Sequence, residues 1–153
     1  MNRGRMGRAR LLFCFLIAAA GCRDLDVVTE SYATLAEATA DGAVARGYLP
    51  QGLPPGTHDI REAHDTQSAR RWGLFDFPPG EADALRALLG PEMSLQGLHV
   101  DAPPRIEWWP ILLRGSLNDD QIRATGARAY AAREGPLIFG VNWKQGRAYY
   151  WTR

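Results

Sequence analysis

Two aromatic-rich runs near the C-terminus constrain the fold of this chain more than any other feature. Residues 138–144 and 147–152 contain Phe, Val, Trp and Tyr in the proportions typical of β-strands. Gln145-Gly146 between them puts glycine at the second position of a two-residue loop, where a primed hairpin turn requires positive φ. Both faces of the two strands are apolar, which predicts a hairpin inside a sheet. Residues 127–133 also look extended, so we predict a three-stranded C-terminal meander.

The rest of the chain predicts short helices and a second hairpin. Extended segments 57–65 and 71–77 flank a run of turn-forming residues, whereas 91–104 is predicted to be irregular. Helices are predicted at residues 35–46, 81–89 and 117–125. The first of them follows a capping box that starts at Thr34. This order predicts an α+β fold, a single compact domain with an antiparallel sheet and two or three short helices.

The first 22 residues have the pattern of a secretory signal. Four arginines precede the ten apolar residues 11–20, and a membrane-spanning helix would need roughly 20. Ala19-Ala20-Gly21-Cys22 then resembles the bacterial lipobox, although that motif usually has leucine where Ala19 stands. The resemblance implies cleavage before Cys22 and lipid on its thiol. An ordinary secretory signal is the alternative.

Cleavage at this point divides the chain into three parts. Residues 1–21 form the predicted lipoprotein signal peptide, 22–31 a lipidated tether or an entering strand, and 32–153 the α+β domain. Arg23 follows the cysteine, in place of the aspartate that commonly retains lipoproteins at the inner membrane. By analogy with that rule, we expect the protein in the bacterial cell envelope, at the outer membrane and facing the periplasm.

Cysteine content and charge narrow the possible functions. Once Cys14 leaves with the signal and Cys22 carries lipid, the mature chain has no thiol for a disulfide, a zinc site or a nucleophile. Without the four signal arginines, 14 basic side chains remain against 17 acidic ones, a net charge of −3. No basic stripe survives, so nucleic acid is not an expected partner. The expected partners are the membrane, through the lipid, and an envelope protein.

A polar run at 57–65 carries the candidate chemistry. On a strand, His58, Ile60, Glu62 and His64 line one face. Two imidazoles and a carboxylate can bind a transition metal, or Glu62 can orient His64 as a general base. However, side chains six positions apart on a straight strand start about 20 Å from each other. We therefore predict that His58 and His64 do not share an ion.

The same run also has a purely structural interpretation. His64 and Asp65 stand where a hairpin turn begins, and Asp is favoured there for local hydrogen bonding. Glu62 is then expected to pair with Arg70 or Arg71 across the hairpin.

Trp108-Trp109-Pro110 also has two interpretations. Aromatic side chains anchor interfaces and stack on sugars, and they equally fill the core of a chain without disulfides. We predict no catalytic residue, metal or cofactor, and the candidate binding residues are Glu62, His64, Asp65, Trp108 and Trp109.

Two stretches of the chain resemble a known family. The first comprises Ala33 to Ala38, Asp41-Gly42-Ala43, Arg46 to Pro50, Leu53-Pro54, Ile60, Glu62, His64-Asp65 and Trp72. The second comprises Trp143-Lys144, Gly146-Arg147 and Tyr149-Tyr150-Trp151. Together they resemble uncharacterised small bacterial lipoproteins similar to the YbbD head domain. The resemblance implies a lipoprotein with one compact domain, and it implies no activity.

Two functions fit these observations. We predict an envelope lipoprotein that is not an enzyme and that binds a protein or a small ligand. The alternative is a metal-dependent hydrolase of envelope material that uses the 58–65 cluster. A hydrolase requires His58, Glu62 and His64 to converge in a concave pocket, whereas a binding module needs only an exposed aromatic or apolar patch.

Overall fold

A computed structural model describes residues 26–103 and 105–153 and shows one α+β domain. Its main sheet is antiparallel and has seven strands, in the order β1-β2-β3-β9-β8-β7-β4. These strands are β1 (Val27–Thr34), β2 (His58–Asp65), β3 (Arg71–Asp76), β4 (Leu89–Met93), β7 (Arg128–Ala132), β8 (Leu137–Asn142) and β9 (Arg147–Thr152). Two further strands, β5 (His99–Val100) and β6 (Gly115–Ser116), form a separate ladder.

The helices of the described residues are short. They are α1 (Leu35–Ala40), α2 (Ala82–Leu88) and α3 (Asp119–Ala124), with 3-10 turns at Pro79–Glu81 and Ile111–Leu113. None of the helices in these residues is long and apolar enough to cross a membrane. The predicted fold class is confirmed, including the C-terminal meander β7-β8-β9 and its position inside the sheet. The prediction for 1–21 and for Cys22 falls outside the described residues.

The N-terminal strand and helix differ from prediction at their ends. Strand β1 begins at Val27, so the entering-strand alternative holds for 27–31. Helix α1 begins with the predicted cap, in which the Thr34 hydroxyl accepts from the Glu37 N–H. It ends at Ala40 rather than near 46, because Gly42 adopts φ +84° and closes a Schellman turn in which the Ala43 N–H donates to the Ala38 carbonyl.

Two other predictions were wrong. Residues 91–93 belong to strand β4 instead of irregular chain, and Leu89 belongs to the same strand instead of the preceding helix. Pro91 is tolerated there because β4 is an edge strand with a register shift. The β8–β9 loop has four residues, since Asn142 pairs with Arg147. Gly146 does have the predicted positive φ, but its role is to bring its backbone against Phe77, whose N–H donates to the Gly146 carbonyl at 2.7 Å.

The sheet carries a core on each face. The first face packs Ile60, Phe75, Phe139 and Tyr150 under α1, α2 and the following loops. The second face packs Trp72, Ile138, Trp151 and Trp109 under residues 95–122. Burial of apolar side chains on both faces explains why the central strands read as continuous hydrophobic runs in the sequence.

Candidate functional site

Glu62 and His64 form a buried polar pair on the first face of the sheet. The Glu62 side chain is fully buried, and His64 is 9% exposed. The His64 Nδ1 lies 3.0 Å and 3.1 Å from the two Glu62 carboxylate oxygens, so the tautomer with a proton on Nδ1 donates to Glu62. Burial raises the pKa of Glu62 above its ordinary value, and the hydrogen bond from His64 opposes that rise only in part.

Two tyrosines enclose this pair. The Tyr48 ring stacks on the His64 imidazole, with 3.7 Å between ring centroids and 11° between the planes. Tyr150, on β9, donates from its hydroxyl to the Tyr48 backbone carbonyl at 2.8 Å. We call Tyr48, Glu62, His64 and Tyr150 the buried cluster. It fastens the loop that contains Tyr48 onto strands β2 and β9.

Gly73 makes the position of Tyr150 possible. Gly73 pairs with both Glu62 and Tyr150 in the sheet register. A Cβ atom at Gly73 would lie 2.0 Å from the Tyr150 ring, so only glycine lets the ring lie across β3 toward the loop.

A cleft of about 640 Å³ opens beside the fastened loop. We call this space the cleft. The residues that line it are Val44, Ala45, Gly47, Leu49, Pro50, Gln51, Gly52, Arg71, Ala87, Leu88, Ala132, Arg133, Glu134, Leu137 and Phe139. Arg71 donates through Nη1 to the Gly47 carbonyl, while its buried Nε has no hydrogen-bond partner. Arg133 donates through Nε to the Leu89 carbonyl at 2.8 Å.

A polar network lies beside the buried cluster at the edge strand β1. The Tyr32 hydroxyl contacts the carboxylates of both Glu30 and Asp41. The Arg46 Nη2 lies 2.9 Å from Asp41, and its guanidinium stands 5.2 Å from the Tyr48 ring centroid. The network therefore braces the outer side of the same loop that the buried cluster holds from within.

The predicted pairing of Glu62 with Arg70 or Arg71 was wrong. Arg70 pairs with Asp101 at 3.2 Å, and Arg71 points to the Gly47 carbonyl. The partner of Glu62 is His64 instead, because both side chains lie on the first face of β2, under Tyr48.

The other candidate residues occupy separate places. Asp65 shapes the β2–β3 turn, where its carboxylate accepts from the Gln67 N–H and the Ser68 hydroxyl. Trp109 is 1% exposed and donates from Nε1 to the Leu113 carbonyl, so it belongs to the second core. Trp108 is half-buried and lines a shallow depression with Ser31 and Arg61. The structure thus brings Glu62 and His64 together, while Trp108 and Trp109 meet edge to face with 6.0 Å between ring centroids.

His58 lies in different surroundings from His64. A bulge in β2, with Asp59 at φ +48°, separates His58 from Ile60, Glu62 and His64. One ligand atom each from His58, Asp59 and Asp76 lies within 4.8 Å of the other two, which is a possible metal arrangement. Arg147, however, already binds both Asp76 oxygens, at 2.6 and 2.7 Å. A cation there would have to displace that guanidinium.

No sequence pattern placed Tyr48 or Tyr150 in the site, and Arg71 was predicted as a partner of Glu62 rather than as part of the cleft wall. One signal was available for Tyr150, since a glycine inside a predicted strand, Gly73, often marks a close approach by another group. Tyr48 follows a helix and a turn, so no strand or helix periodicity could place its ring on His64.

A known family model matches the first part of this domain. Residues 26–76 match the model of the YbbD head domain. The predicted resemblance is confirmed for this segment, which is 51 of the 153 residues and spans β1 to β3. The matched segment supplies Tyr48, Glu62, His64 and Arg71, whereas Tyr150 and Arg133 come from the later chain. No curated protein and no solved structure matched the chain.

Proposed function

We propose that the mature protein is an envelope lipoprotein, anchored to the outer membrane by lipid on Cys22, that binds a small ligand in the cleft without transforming it. The observation that carries the binding role is the cleft itself. Its volume of about 640 Å³ lies within the roughly 300–1,000 Å³ typical of small-molecule sites, and most of its lining is apolar. The role of the buried cluster is to hold one wall of this cleft.

The arrangement of Glu62 and His64 supports binding rather than hydrolysis. Neither residue belongs to the lining of the cleft. His64 is covered by the Tyr48 ring. The possible metal-binding cluster of His58, Asp59 and Asp76 contains neither Glu62 nor His64. A hydrolase built on 58–65 would need these side chains to converge on a substrate.

The anchor follows from the N-terminal sequence. Lipid chains contribute about 0.8 kcal/mol for each buried methylene, so several chains together bind a membrane durably. Val27, where β1 begins, is five positions after Cys22. At roughly 3.6 Å for each extended residue, the start of β1 would lie within about 18 Å of Cys22.

The anchor is tested by labelling with radioactive palmitate in a bacterial host. Cys22→Ser should abolish incorporation and release the protein from the membrane fraction or leave its precursor uncut. Cys14→Ser is the matched control and should label normally. Incorporation into the Cys22→Ser variant would contradict the lipoprotein proposal.

The binding role is tested by NMR titration of the mature domain with small fragments, both neutral and charged. Amide shifts are expected at Ala45, Gly52 and Leu88. Ala87→Trp should fill the cleft and abolish these shifts, whereas Ala124→Trp, at an exposed position of α3, should leave them unchanged. Shifts that persist in Ala87→Trp, or that map beside Trp108, would move the binding site elsewhere.

A further inference from the structure

We infer that the ligand of the cleft carries a carboxylate on a short apolar body, and that Arg71 and Arg133 bind the carboxylate. This inference rests on the proposed binding function and adds the chemical class of the ligand. It depends on the charges at the cleft, on the unsatisfied donors of Arg71 and on the apolar lining.

Arg71 offers donors that the protein does not use. Its Nε is buried without a hydrogen-bond partner, and its Nη1 is engaged only by the Gly47 carbonyl. Buried polar atoms are nearly always paired in folded proteins, so the unpaired Nε indicates that Arg71 lacks an acceptor. Because this atom is buried, the side chain must turn toward the cleft for a ligand to supply one. A guanidinium presents its N–H groups as a planar fork, which matches the two oxygens of a carboxylate.

Arg133 lines the same cleft as Arg71. Arg71 begins β3, and its N–H donates to the Thr152 hydroxyl on β9. Thr152 pairs with Leu137 on β8, and Arg133 follows the end of β7, the next strand. Three strand spacings of about 4.8 Å separate β3 from β7. Arg133 holds its Nε on the Leu89 carbonyl of β4, so its guanidinium would have to turn from β4 toward β3 for both arginines to bind one small anion.

The charge balance of the cleft favours an anion. Arg46, Arg70 and Arg147 are paired with carboxylates elsewhere on the surface. Within the part of the chain that the structure describes, Arg71 and Arg133 have no carboxylate partner. Glu134 is the acidic residue of the lining and leaves a surplus of one positive charge.

The other residues that line the cleft indicate the chemical character of the rest of the ligand. It is formed mostly by aliphatic side chains and proline, namely Val44, Ala45, Leu49, Pro50, Ala87, Leu88 and Leu137. Such a surface favours a hydrocarbon chain or aliphatic side chains over a sugar or a nucleotide. A carboxylate on an apolar body is found in fatty acids and at the C-termini of short apolar peptides.

Matched probes test the charge and separate these two sources. The probes are octanoate and octanamide, and acetyl-Leu-Leu with a free carboxylate and as its amide. Isothermal titration and amide shifts should show at least one carboxylate binding tenfold or more tightly than its neutral partner. Raised salt should weaken that binding, because the attraction is electrostatic. Octanoate alone would assign a fatty acid, acetyl-Leu-Leu alone a peptide C-terminus, and either result supports the inference.

Two variants connect the charge preference to the arginines. Arg133→Gln changes an exposed side chain, so it should fold normally and weaken carboxylate binding at least fivefold. Arg71→Gln should weaken it further, and its melting curve reports whether the contact with Gly47 is needed for folding. Arg61→Gln, at an exposed position outside the cleft, is the control and should bind like the unaltered protein.

The failures of the two proposals are distinguishable. Equal binding of carboxylate and neutral probes in the cleft would overturn the carboxylate inference and leave the binding function intact. Unchanged carboxylate affinity in Arg133→Gln and Arg71→Gln would also overturn the inference. A cleft that binds no probe of either charge would count against the binding function itself.

Discussion

The Tyr150 hydroxyl donates a hydrogen bond to the backbone carbonyl of Tyr48, a residue 102 positions earlier in the chain. This contact joins the last strand of the sheet to the loop that forms one wall of the cleft. Tyr150 is fully buried, so the carbonyl would lose its partner if the hydroxyl were removed. Tyr150→Phe should lower the free energy of unfolding by about 1 kcal/mol, measured by urea denaturation.

Tyr48→Phe is the matched control for this change. It keeps the backbone carbonyl and the ring that stacks on His64, and the Tyr48 hydroxyl has no hydrogen bond within the described residues. Its unfolding free energy should stay within about 0.5 kcal/mol of the unaltered protein. Equal losses in both variants would mean that the Tyr150–Tyr48 bond does not hold the loop.

Gly73→Ala should be strongly destabilising. The added Cβ would lie 2.0 Å from the Tyr150 ring, so either the ring or strand β3 must move. Overpacking of this kind costs about 1–3 kcal/mol, and a thermal melt should show a drop of several degrees. Gly80→Ala is the control, because nothing lies within 4 Å of the added atom. If Gly73→Ala had the same melting temperature as Gly80→Ala, the Tyr150 ring could not lie across β3 at Gly73.

Much of the fold could be predicted because its signals are local. Aromatic and β-branched runs predicted strands β8 and β9, and the Thr34 cap marked the start of α1. Strand β4 escaped prediction because its conformation depends on pairing with β7, whereas its own sequence, Leu89 to Met93, contains glycine and proline. Propensity within a short segment cannot report a partner that lies far along the chain.

The candidate site was predictable only where one strand carries it. Strand alternation placed Glu62 and His64 on one face, and the structure brings them into contact. The bulge at Asp59 removed His58 from that face, and strand periodicity contains no signal for it. The cleft arises where the loop around Tyr48 crosses the sheet, a tertiary relation that becomes visible only when distant segments are assembled.

Gly146→Ala tests the tertiary role of the β8–β9 loop. Gly146 has φ +67°, and a Cβ there would lie 2.2 Å from the Phe77 carbonyl oxygen. Gly135 has φ +80° with nothing within 4 Å, so Gly135→Ala isolates the cost of the backbone conformation. We expect about 1 kcal/mol for Gly135→Ala and a larger loss for Gly146→Ala, measured by denaturation. Equal losses would show that the approach to Phe77 is not tight.

Glu62→Gln should change how stability depends on pH. The pKa of Glu62 is raised above its ordinary value of 4.5, chiefly because burial disfavours the charged carboxylate. The folded protein therefore binds this proton more tightly than the unfolded chain. The resulting stabilisation is fully present below pH 4.5 and is lost as pH rises through the raised pKa. Glutamine does not titrate, and its carbonyl can still accept from the His64 Nδ1.

The difference in unfolding free energy between Glu62→Gln and the unaltered protein reports this effect, because titrating groups that do not contact Glu62 contribute equally to both. We expect the difference to shift in favour of the variant as pH rises from about 4.5 toward 7, measured by urea denaturation across that range. Glu107→Gln, at an exposed position, is the control and should give a flat difference. A flat difference for Glu62→Gln as well would mean that the folded protein stabilises the Glu62 carboxylate as well as water does. The His64 hydrogen bond would then have to offset the whole cost of burial.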